Sequence, residues 1–270
     1  MSWQHLPEHL SPYILHTPWF SLHWYGLMYA FAYILIYLVA RYRMKKESFT
    51  ITPEQLVGAM TWSVVGLAVG ARLFYVLFYE PSYYLAHPFQ IIWPFGADGS
   101  LQGISGLSYH GGLLGIILSV ILYCKKKKIR IWELSDLLVP VIPLGYTFGR
   151  IGNFINGELY GRVTDVPWAM VFPRDPERAL RHPSQLYEAA LEGLLIFIFL
   201  WSVRKKVRGP QMLGLYLLLY AAARIIVEFF REPDPQLGFI VAGVTMGQVL
   251  SAAMMIGGVV LLFTKKHRLK

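Results

Sequence analysis

The sequence contains a single cysteine, Cys124, in 270 residues. One cysteine excludes an internal disulfide and any metal site built from several cysteines. Charged residues are also scarce, at 15% of the chain, whereas 55% of the residues are hydrophobic and the mean hydropathy is +0.44. A soluble domain is about 45–50% apolar. Long apolar runs in a chain of this composition predict an α-helical membrane protein.

Lysine is absent from most of the sequence. Every lysine lies in one of four basic clusters, each directly after a hydrophobic segment: RYRMKK (41–46), KKKKIR (125–130), RKKVR (204–208) and KKHRLK (265–270). This distribution is typical of cytoplasmic loops that flank membrane spans. The net charge of +9 therefore indicates contact with a bilayer, and no nucleic-acid partner is expected.

Seven hydrophobic segments reach the length of about 20 residues that a membrane-spanning helix needs. They cover residues 20–40, 54–79, 104–124, 132–155, 185–203, 211–230 and 241–263. If all four basic clusters are cytoplasmic, they follow segments one, three, five and seven. The sequence predicts an all-α fold of seven transmembrane helices in one domain, 1–270, with the N-terminus outside and the C-terminus cytoplasmic. Segment one lacks the basic n-region and cleavage site of a removed signal peptide.

Two stretches are not simple membrane spans or short loops. Segment four is a marginal span, because it contains Glu133, Asp136, Pro140 and Pro143. The outside loop 156–184 carries many charges and is interpreted as a small head or lid. A solvated charged loop is the alternative interpretation.

Arginines supply all the basic residues outside the clusters, and three of them lie in the outer parts of predicted spans: Arg72, Arg150 and Arg224. A charged side chain at the centre of a span costs about 2.5–3.5 kcal/mol on insertion scales, so such residues are usually paired or functional. For Arg72 an equally good interpretation is a side chain that reaches out to the membrane interface.

The stretch GRIGNFINGELYG (149–161) ends segment four. Arg150 offers a planar pair of donors suited to phosphate oxygens. Asn153 and Asn156 can donate and accept hydrogen bonds, and glycines such as Gly161 allow close backbone approach. These residues predict a polar cavity at the outer end of the helix.

Segment six carries RIIVEFFREPD (224–234), in which Arg224, Glu228 and Arg231 are spaced i, i+4 and i+7 on one helical face. Glu228 is expected to neutralise one arginine and to leave the other for an anion; a structural ion pair is the alternative. Tyr25 and His110 lie at the same depth, although alone they would suggest an aromatic-belt residue and a packing histidine. Together the groups predict a phospholipid site.

Five motifs resemble those of the bacterial prolipoprotein diacylglyceryl transferase family. They are HWYGLMY (23–29), SYHGG (108–112), GRIGNFINGELYG (149–161), HPSQLYEA (182–189) and RIIVEFFREPD (224–234). HPSQLYEA also predicts a helix start, with Pro183 and Ser184 capping segment five and Glu188 in its first turn. The family shares the seven-span topology.

The resemblance implies transfer of the diacylglyceryl group of phosphatidylglycerol to the lipobox cysteine of a prolipoprotein. A thioether forms and glycerol phosphate leaves, as the first step of bacterial lipoprotein maturation. The site would face the periplasmic side of the inner membrane and contact the bilayer, the lipid and the prolipoprotein signal peptide. Neither a cofactor nor a metal is expected, and a monomer is the default assumption.

The predicted catalytic residues are His110 as base for the thiol, Arg150 and Arg224 as stabilisers of the leaving phosphate, and Tyr25 as a donor to it. Two alternatives stay open for His110: it binds the lipid headgroup, or the arginine-polarised site accepts the thiol without a dedicated base. The residues predicted to bind phosphatidylglycerol are Arg150, Asn153, Asn156, Glu158, Gly161, Arg224, Glu228 and Arg231. Other classes stay open at this point. Ser105 and Ser108 near His110 would suit an intramembrane protease, and buried charges would suit a transporter or lipid flippase. A seven-helix receptor shares only the number of helices.

Overall fold

The structure is a computed structural model, and it describes residues 3–17, 20–93, 106–232, 239–241 and 244–264. The chain divides into two compact units. One comprises residues 50–131, and the other comprises residues 1–49 together with 132–270. We refer to them as the small unit and the large unit.

Helices dominate both units. In chain order the α-helices of the described residues are α1 (Leu6–His9), α2 (Trp24–Lys46), α3 (Pro53–Phe78), α4 (Pro81–Ala86), α5 (Tyr109–Lys127), α6 (Ile131–Leu138), α7 (Ile142–Ile155), α8 (Ser184–Glu188), α9 (Ile196–Val203), α10 (Pro210–Glu228) and α11 (Met246–Phe263). A π-helix (Ala189–Leu195) joins α8 to α9, and short 3-10 turns lie at Trp3–His5 and Pro88–Ile91.

Short strands form antiparallel hairpins between the helices. β1 (Tyr13–His16) pairs with β2 (Ser21–His23), β3 (Met170–Val171) with β4 (Leu180–Arg181), and β5 (Phe239–Val241) with β6 (Val244–Thr245). Met170 lies opposite Arg181, and Val171 lies opposite Leu180. These hairpins are too small to carry a core of their own.

Within the described residues, five helical stretches are long and apolar enough to cross a membrane: α2, α3, Ser184–Val203, α10 and α11. Their outer side chains are apolar and exposed, as for Ile34 (57%), Leu77 (62%) and Val260 (61%). Such continuous apolar surface is stable in lipid rather than in water. The predicted all-α membrane fold is confirmed at this level. Segment three forms α5, which begins at Tyr109.

Segment four is two helices rather than one. The chain leaves the helix at 139–141, where Pro140 has no N–H group and disrupts the preceding turn. The break frees the carbonyl groups of Asp136 and Leu137. The buried Arg43 of α2 donates to both, at 2.6 and 2.8 Å. A side chain from another helix therefore replaces the missing helical donors.

In the small unit, α3 and α5 meet backbone to backbone. A Cβ atom at Gly66 would lie 2.4 Å from the carbonyl oxygen of Gly115, and one at Gly115 would lie 2.0 Å from that of Gly66. Only glycine permits this approach. Gly66 and Gly115 therefore allow α3 and α5 to pack closely.

Arg72 of α3 is only 9% exposed and is bonded within the small unit. Its guanidinium donates to the carbonyl groups of Gln90, Ile91 and Gly106, at 2.7, 2.7 and 3.2 Å. It also lies 4.8 Å from the centre of the Tyr84 ring. The interpretation of Arg72 as an interfacial side chain stays a prediction.

The loop 156–184 packs around its own apolar cluster. Met170 and Phe172 are buried against Phe154 of α7, with Leu10 and Tyr160 beside them. Asp175 and Arg181 are only 2% and 6% exposed. The interpretation as a solvated charged loop does not hold for these two residues, but it holds for Asp165, Arg174, Glu177 and Arg178, which are exposed.

Candidate functional site

Helix α7 carries the first part of a polar cluster inside the large unit. Tyr146, Arg150 and Asn153 are spaced four and three residues apart, so they lie on one side of the helix. The Arg150 guanidinium lies 4.8 Å from the centre of the Tyr146 ring. Its Nη1 donates to Asn153 Oδ1 at 3.3 Å. The ring contact orients a cation that has little access to water.

Glu188, the last residue of α8, is the centre of the cluster. Its side chain has no exposed surface. Oε2 lies 2.8 Å from Nε of Arg150 and 3.1 Å from Nη1 of Arg224, and Oε1 lies 3.8 Å from Nη1 of Arg231. Three arginines from different parts of the chain therefore converge on one carboxylate.

A second carboxylate follows one turn later in the π-helix. The Tyr146 hydroxyl donates to Glu192 Oε2 at 2.5 Å and to Glu188 Oε2 at 3.1 Å. Glu192 Oε1 lies 3.7 Å from Arg224 Nη1. The π-helix packs closely on α7, because a Cβ atom at Gly193 would lie 2.1 Å from Thr147 Oγ1. π-helical turns are frequent at functional sites.

Glu228 completes the cluster beside Arg224. Its Oε2 lies 2.9 Å from Arg224 Nη2, and its Oε1 accepts a hydrogen bond from the Thr245 hydroxyl at 3.0 Å. The predicted i, i+4 ion pair is thus present. Arg231 lies beyond the end of α10, so the prediction of one helical face for all three residues is wrong. Arg231 Nη1 lies 3.8 Å from Glu188 Oε1, and the expectation that one arginine is left for an anion stays a prediction.

Glu158 forms a polar group next to this cluster. Its Oε1 accepts from the amides of Asn153 and Asn156, at 2.8 and 3.4 Å. Its Oε2 accepts from Arg174 at 3.1 Å, and its backbone carbonyl accepts from the Gln185 amide at 2.6 Å. Asn153 contacts both Arg150 and Glu158, so it links the two groups. The residues that the sequence predicted on segment four are therefore brought together.

Two glycines shape the chain after α7. Gly157 has a φ of +66°, a backbone conformation that favours glycine. Gly161 lies where a Cβ atom would be 2.4 Å from the carbonyl oxygen of Phe230, and its N–H donates to His182 at 2.8 Å. The structure gives Gly161 a role in backbone contact. Its predicted contact with the lipid stays a prediction.

Tyr25, near the start of α2, packs on the glycine face of α7. A Cβ atom at Gly152 would lie 3.4 Å from its ring. Its hydroxyl donates to Tyr29 at 3.1 Å, and Asn153 lies within hydrogen-bonding reach. The predicted association of Tyr25 with the residues of segment four is consistent with these contacts.

His110 belongs to the small unit and is the second residue of α5. Its side chain is exposed, and its ring lies 5.7 Å from that of Tyr109. Its role as base stays a prediction. Ser108 is buried and caps α5, because its hydroxyl accepts from the Gly111 N–H at 3.4 Å. That role argues against Ser108 as a protease nucleophile, and Ser105 lies outside the described residues.

The sequence interpretation missed Tyr146, Glu188 and Glu192. Glu188 was assigned to the first turn of a helix start, and Ser184 to its cap. In the structure the Ser184 hydroxyl instead donates to the carbonyl group of Leu159 at 3.0 Å. A usable signal was present, because two acidic residues four apart in an apolar span are rare and usually functional.

The cluster pairs arginines with carboxylates. Three guanidinium groups and three carboxylates lie in it, so its formal charge sums to zero when all are ionised: Arg150, Arg224, Arg231, Glu188, Glu192 and Glu228. Guanidinium groups bind phosphate through paired, charge-assisted hydrogen bonds, which are stronger where water is excluded.

Comparison with known proteins agrees with this chemistry. The family model described as prolipoprotein diacylglyceryl transferase matches residues 12–264. Relatives named phosphatidylglycerol--prolipoprotein diacylglyceryl transferase include one from Chlorobaculum tepidum, 45% identical over 98% of this chain and 93% of its own length. The Wolinella succinogenes relative is 46% identical over 99% of this chain and 98% of its own length. The Campylobacter curvus relative is 46% identical over 100% of this chain and 99% of its own length. The resemblance of the motifs is thus confirmed, and the chain belongs to the prolipoprotein diacylglyceryl transferase family.

Proposed function

We propose that this protein transfers the diacylglyceryl group of phosphatidylglycerol to a prolipoprotein, as the transferase of lipoprotein maturation. The observation that carries the proposal is the convergence of Arg150, Arg224 and Arg231 on one buried centre between apolar helices. A phosphate with acyl tails is an anion that can reach such a centre from the bilayer. The names of near-full-length relatives support the same donor and acceptor.

The reaction exchanges one bond to carbon for another. The sulfur of the lipobox cysteine attacks the glyceryl carbon that carries the phosphate oxygen. The C–S bond of a thioether forms, the C–O bond breaks, and its electron pair leaves with glycerol phosphate. The thiol proton goes to a base, and we assign that role to His110, because a thiol must lose its proton to become a strong nucleophile.

Charge develops on the leaving phosphate, and arginines are suited to stabilise it. Arg150 and Arg224 are assigned this role, with Tyr25 as a further donor. In other enzymes one well-placed donor of this kind contributes roughly 2.7–4 kcal/mol. Arg231, Asn153, Asn156, Glu158, Gly161 and Glu228 are assigned to the lipid-binding site around them.

The proposal also places the protein in the membrane. We treat residues 1–270 as one multi-pass domain of seven spans in the bacterial inner membrane, with the N-terminus and the loop 156–184 on the periplasmic side. A monomer is assumed. The four basic clusters support this orientation, because each follows a hydrophobic segment that would end in the cytoplasm.

The first experiment is reconstituted transfer. Purified protein in detergent is incubated with phosphatidylglycerol and a synthetic lipobox peptide, and the peptide mass and the released glycerol phosphate are measured. Wild type should add a diacylglyceryl mass to the peptide, and a peptide with serine in place of cysteine should gain none. Arg150→Ala should lower the rate by about a hundredfold or more, since about 2.7–4 kcal/mol of phosphate stabilisation is lost.

Arg178→Ala is the matched control. Arg178 is an exposed arginine of the loop 156–184 that pairs with Glu8, and its loss should leave the transfer rate unchanged. Failure of folded wild-type protein to transfer from phosphatidylglycerol would refute the proposal. In the same assay, near-normal turnover by His110→Gln would rule out His110 as the base.

A further inference from the structure

Glu188 lies where an incoming phosphate would have to be held. Its Oε2 lies 2.8 Å from Arg150 and 3.1 Å from Arg224, and Tyr146 donates to the same atom. Its Oε1 is buried and accepts no hydrogen bond from the part of the chain that the structure describes. The Glu188 carboxylate thus accepts from the donor groups that would otherwise bind phosphate oxygens. One of its own two oxygens still accepts no hydrogen bond from the described residues.

The position of Glu188 affects how tightly the cluster binds anions, because the cluster holds equal numbers of arginines and carboxylates. A phosphodiester lipid carries one negative charge, whereas a phosphate monoester carries about 1.5–2 at neutral pH. Arginines that stabilise the leaving phosphate therefore bind the product more tightly than the substrate. A site of three arginines without carboxylates would retain glycerol phosphate after the reaction. Glu188 touches two of these arginines and lies near the third.

We propose that Glu188 is a resident counter-anion of the phosphate site, which positions the three arginines when the site is empty and competes with glycerol phosphate for them, so that the product is released. The inference rests on the proposed function, because it takes glycerol phosphate as the product. Glu188 is a positioning residue in this scheme and takes no part in bond making.

The neighbouring carboxylates are placed differently. Glu192 lies 3.7 Å from Arg224 and accepts from Tyr146, and Glu228 is held by Arg224 and Thr245. Both lie within 4 Å of Arg224. Glu188 is the carboxylate that contacts arginines from two helices and the segment beyond α10. Loss of its charge should therefore change anion affinity more than loss of either neighbour's charge.

The test compares Glu188→Gln with wild type. Glutamine keeps the size and shape of the side chain and removes the charge. Inhibition by added glycerol phosphate, steady-state kcat and the rate of a single turnover are measured with phosphatidylglycerol and a lipobox peptide. The inhibition constant should fall at least tenfold and kcat should fall, while the single-turnover rate stays within about threefold of wild type, because a net positive site retains the product.

Two further variants make the result decisive. Glu188→Asp keeps the charge but withdraws the carboxylate by one methylene, so glycerol phosphate should bind more tightly than to wild type and less tightly than to Glu188→Gln. Glu177→Gln removes an exposed carboxylate of the loop 156–184 and should leave the inhibition constant unchanged. If Glu188→Gln does not fold, the shift in Glu188→Asp decides the matter.

The inference is overturned if the inhibition constant of the Glu188 variants is unchanged or raised. It is also overturned if kcat and the single-turnover rate fall equally, since that is the behaviour of a residue that only maintains the fold. Absence of transfer by wild type refutes the proposed function instead, so the two failures are distinguishable.

Discussion

Asp175 lies in the loop 156–184, and its carboxylate is surrounded by donors. Arg181 donates to both oxygens, at 2.6 and 3.0 Å, and the backbone N–H groups of Glu177 and Ala179 donate as well. Burial alone would raise the pKa of Asp175, but the hydrogen bonds from Arg181 and the backbone outweigh it and lower the pKa. The ionised form of Asp175 therefore stabilises the loop.

The direction of this pKa shift predicts how the stability of the loop depends on pH. The pKa of Asp175 is lower in the folded loop than in an unfolded chain, where it is about 3.9. Its contribution is therefore fully present above about pH 4 and is lost as the pH falls through the lowered value. Amide exchange at Ala179, corrected for the intrinsic rate, should show less protection at pH 3 than at pH 6.

Asp175→Asn should abolish most of that difference and lower protection at pH 6. Asp165→Asn removes an exposed carboxylate of the same loop and should leave the difference intact. An unchanged pH dependence in Asp175→Asn would show that another group carries it.

Single functional residues could be predicted from the sequence where their presence in an apolar segment is energetically unfavourable. Arg150 and Arg224 stood out because a charge in an apolar span is expensive. Glu188 did not, because a helix start already explained an acidic residue at that position. Its three arginines come from positions 150, 224 and 231, and no local pattern brings these together. Tyr146 was hidden for the same reason, as an aromatic residue in a hydrophobic helix.

At the scale of elements, the contact between α3 and α5 depends on small residues. Gly66 and Gly115 face each other so closely that each would place a Cβ atom against the other's carbonyl oxygen. Without a hydrophobic driving force between helices in lipid, this close packing is what stabilises such a pair.

A substitution series tests this contact. Gly115→Ala should destabilise the protein by about 1–3 kcal/mol, the usual cost of overpacking, because backbone atoms must move apart. Thermal unfolding in detergent measures the change. Gly257→Ala on α11 is the control, since no atom lies within 4 Å of a Cβ atom there. That change should be neutral or stabilising by up to about 1 kcal/mol. Equal losses in both variants would contradict the packing argument.

The helices themselves were largely predictable from hydrophobic length. Segment one, 20–40, corresponds to α2, and segment seven, 241–263, corresponds to α11. Segment four was the exception, and its prolines gave warning. The sequence could not reveal that Arg43, almost a hundred residues earlier, supplies donors to the broken end of α6. Long-range partners of this kind decide whether a marginal apolar stretch continues as one helix.

At the scale of the whole molecule, lysines and arginines are distributed differently along the chain. Lysines lie in the last turns of α2 and α5, while the loop 156–184 has arginines balanced by acidic partners. Translocation is disfavoured for unbalanced positive charge near a span, so the clusters should stay in the cytoplasm.

Cysteine labelling tests the orientation directly. The single Cys124 is buried, so Cys124→Ala gives a background without a thiol. In intact cells a membrane-impermeant maleimide should label Glu177→Cys, whereas Lys206→Cys should be labelled only after permeabilisation. Both positions are exposed, so accessibility to the reagent depends on the side of the membrane. The reverse pattern would invert the proposed topology.

The packing of the N-terminal residues has a consequence for biogenesis. Trp3 donates to the carbonyl group of Pro167, Glu8 pairs with Arg178, and Leu10 contacts the cluster around Phe172. These partners of residues 3–10 lie more than 150 residues later in the sequence and are synthesised after them. Residues 3–10 therefore lack these partners until the loop 156–184 has been synthesised. Assembly of this region is therefore a late event, coupled to the insertion of the middle helices.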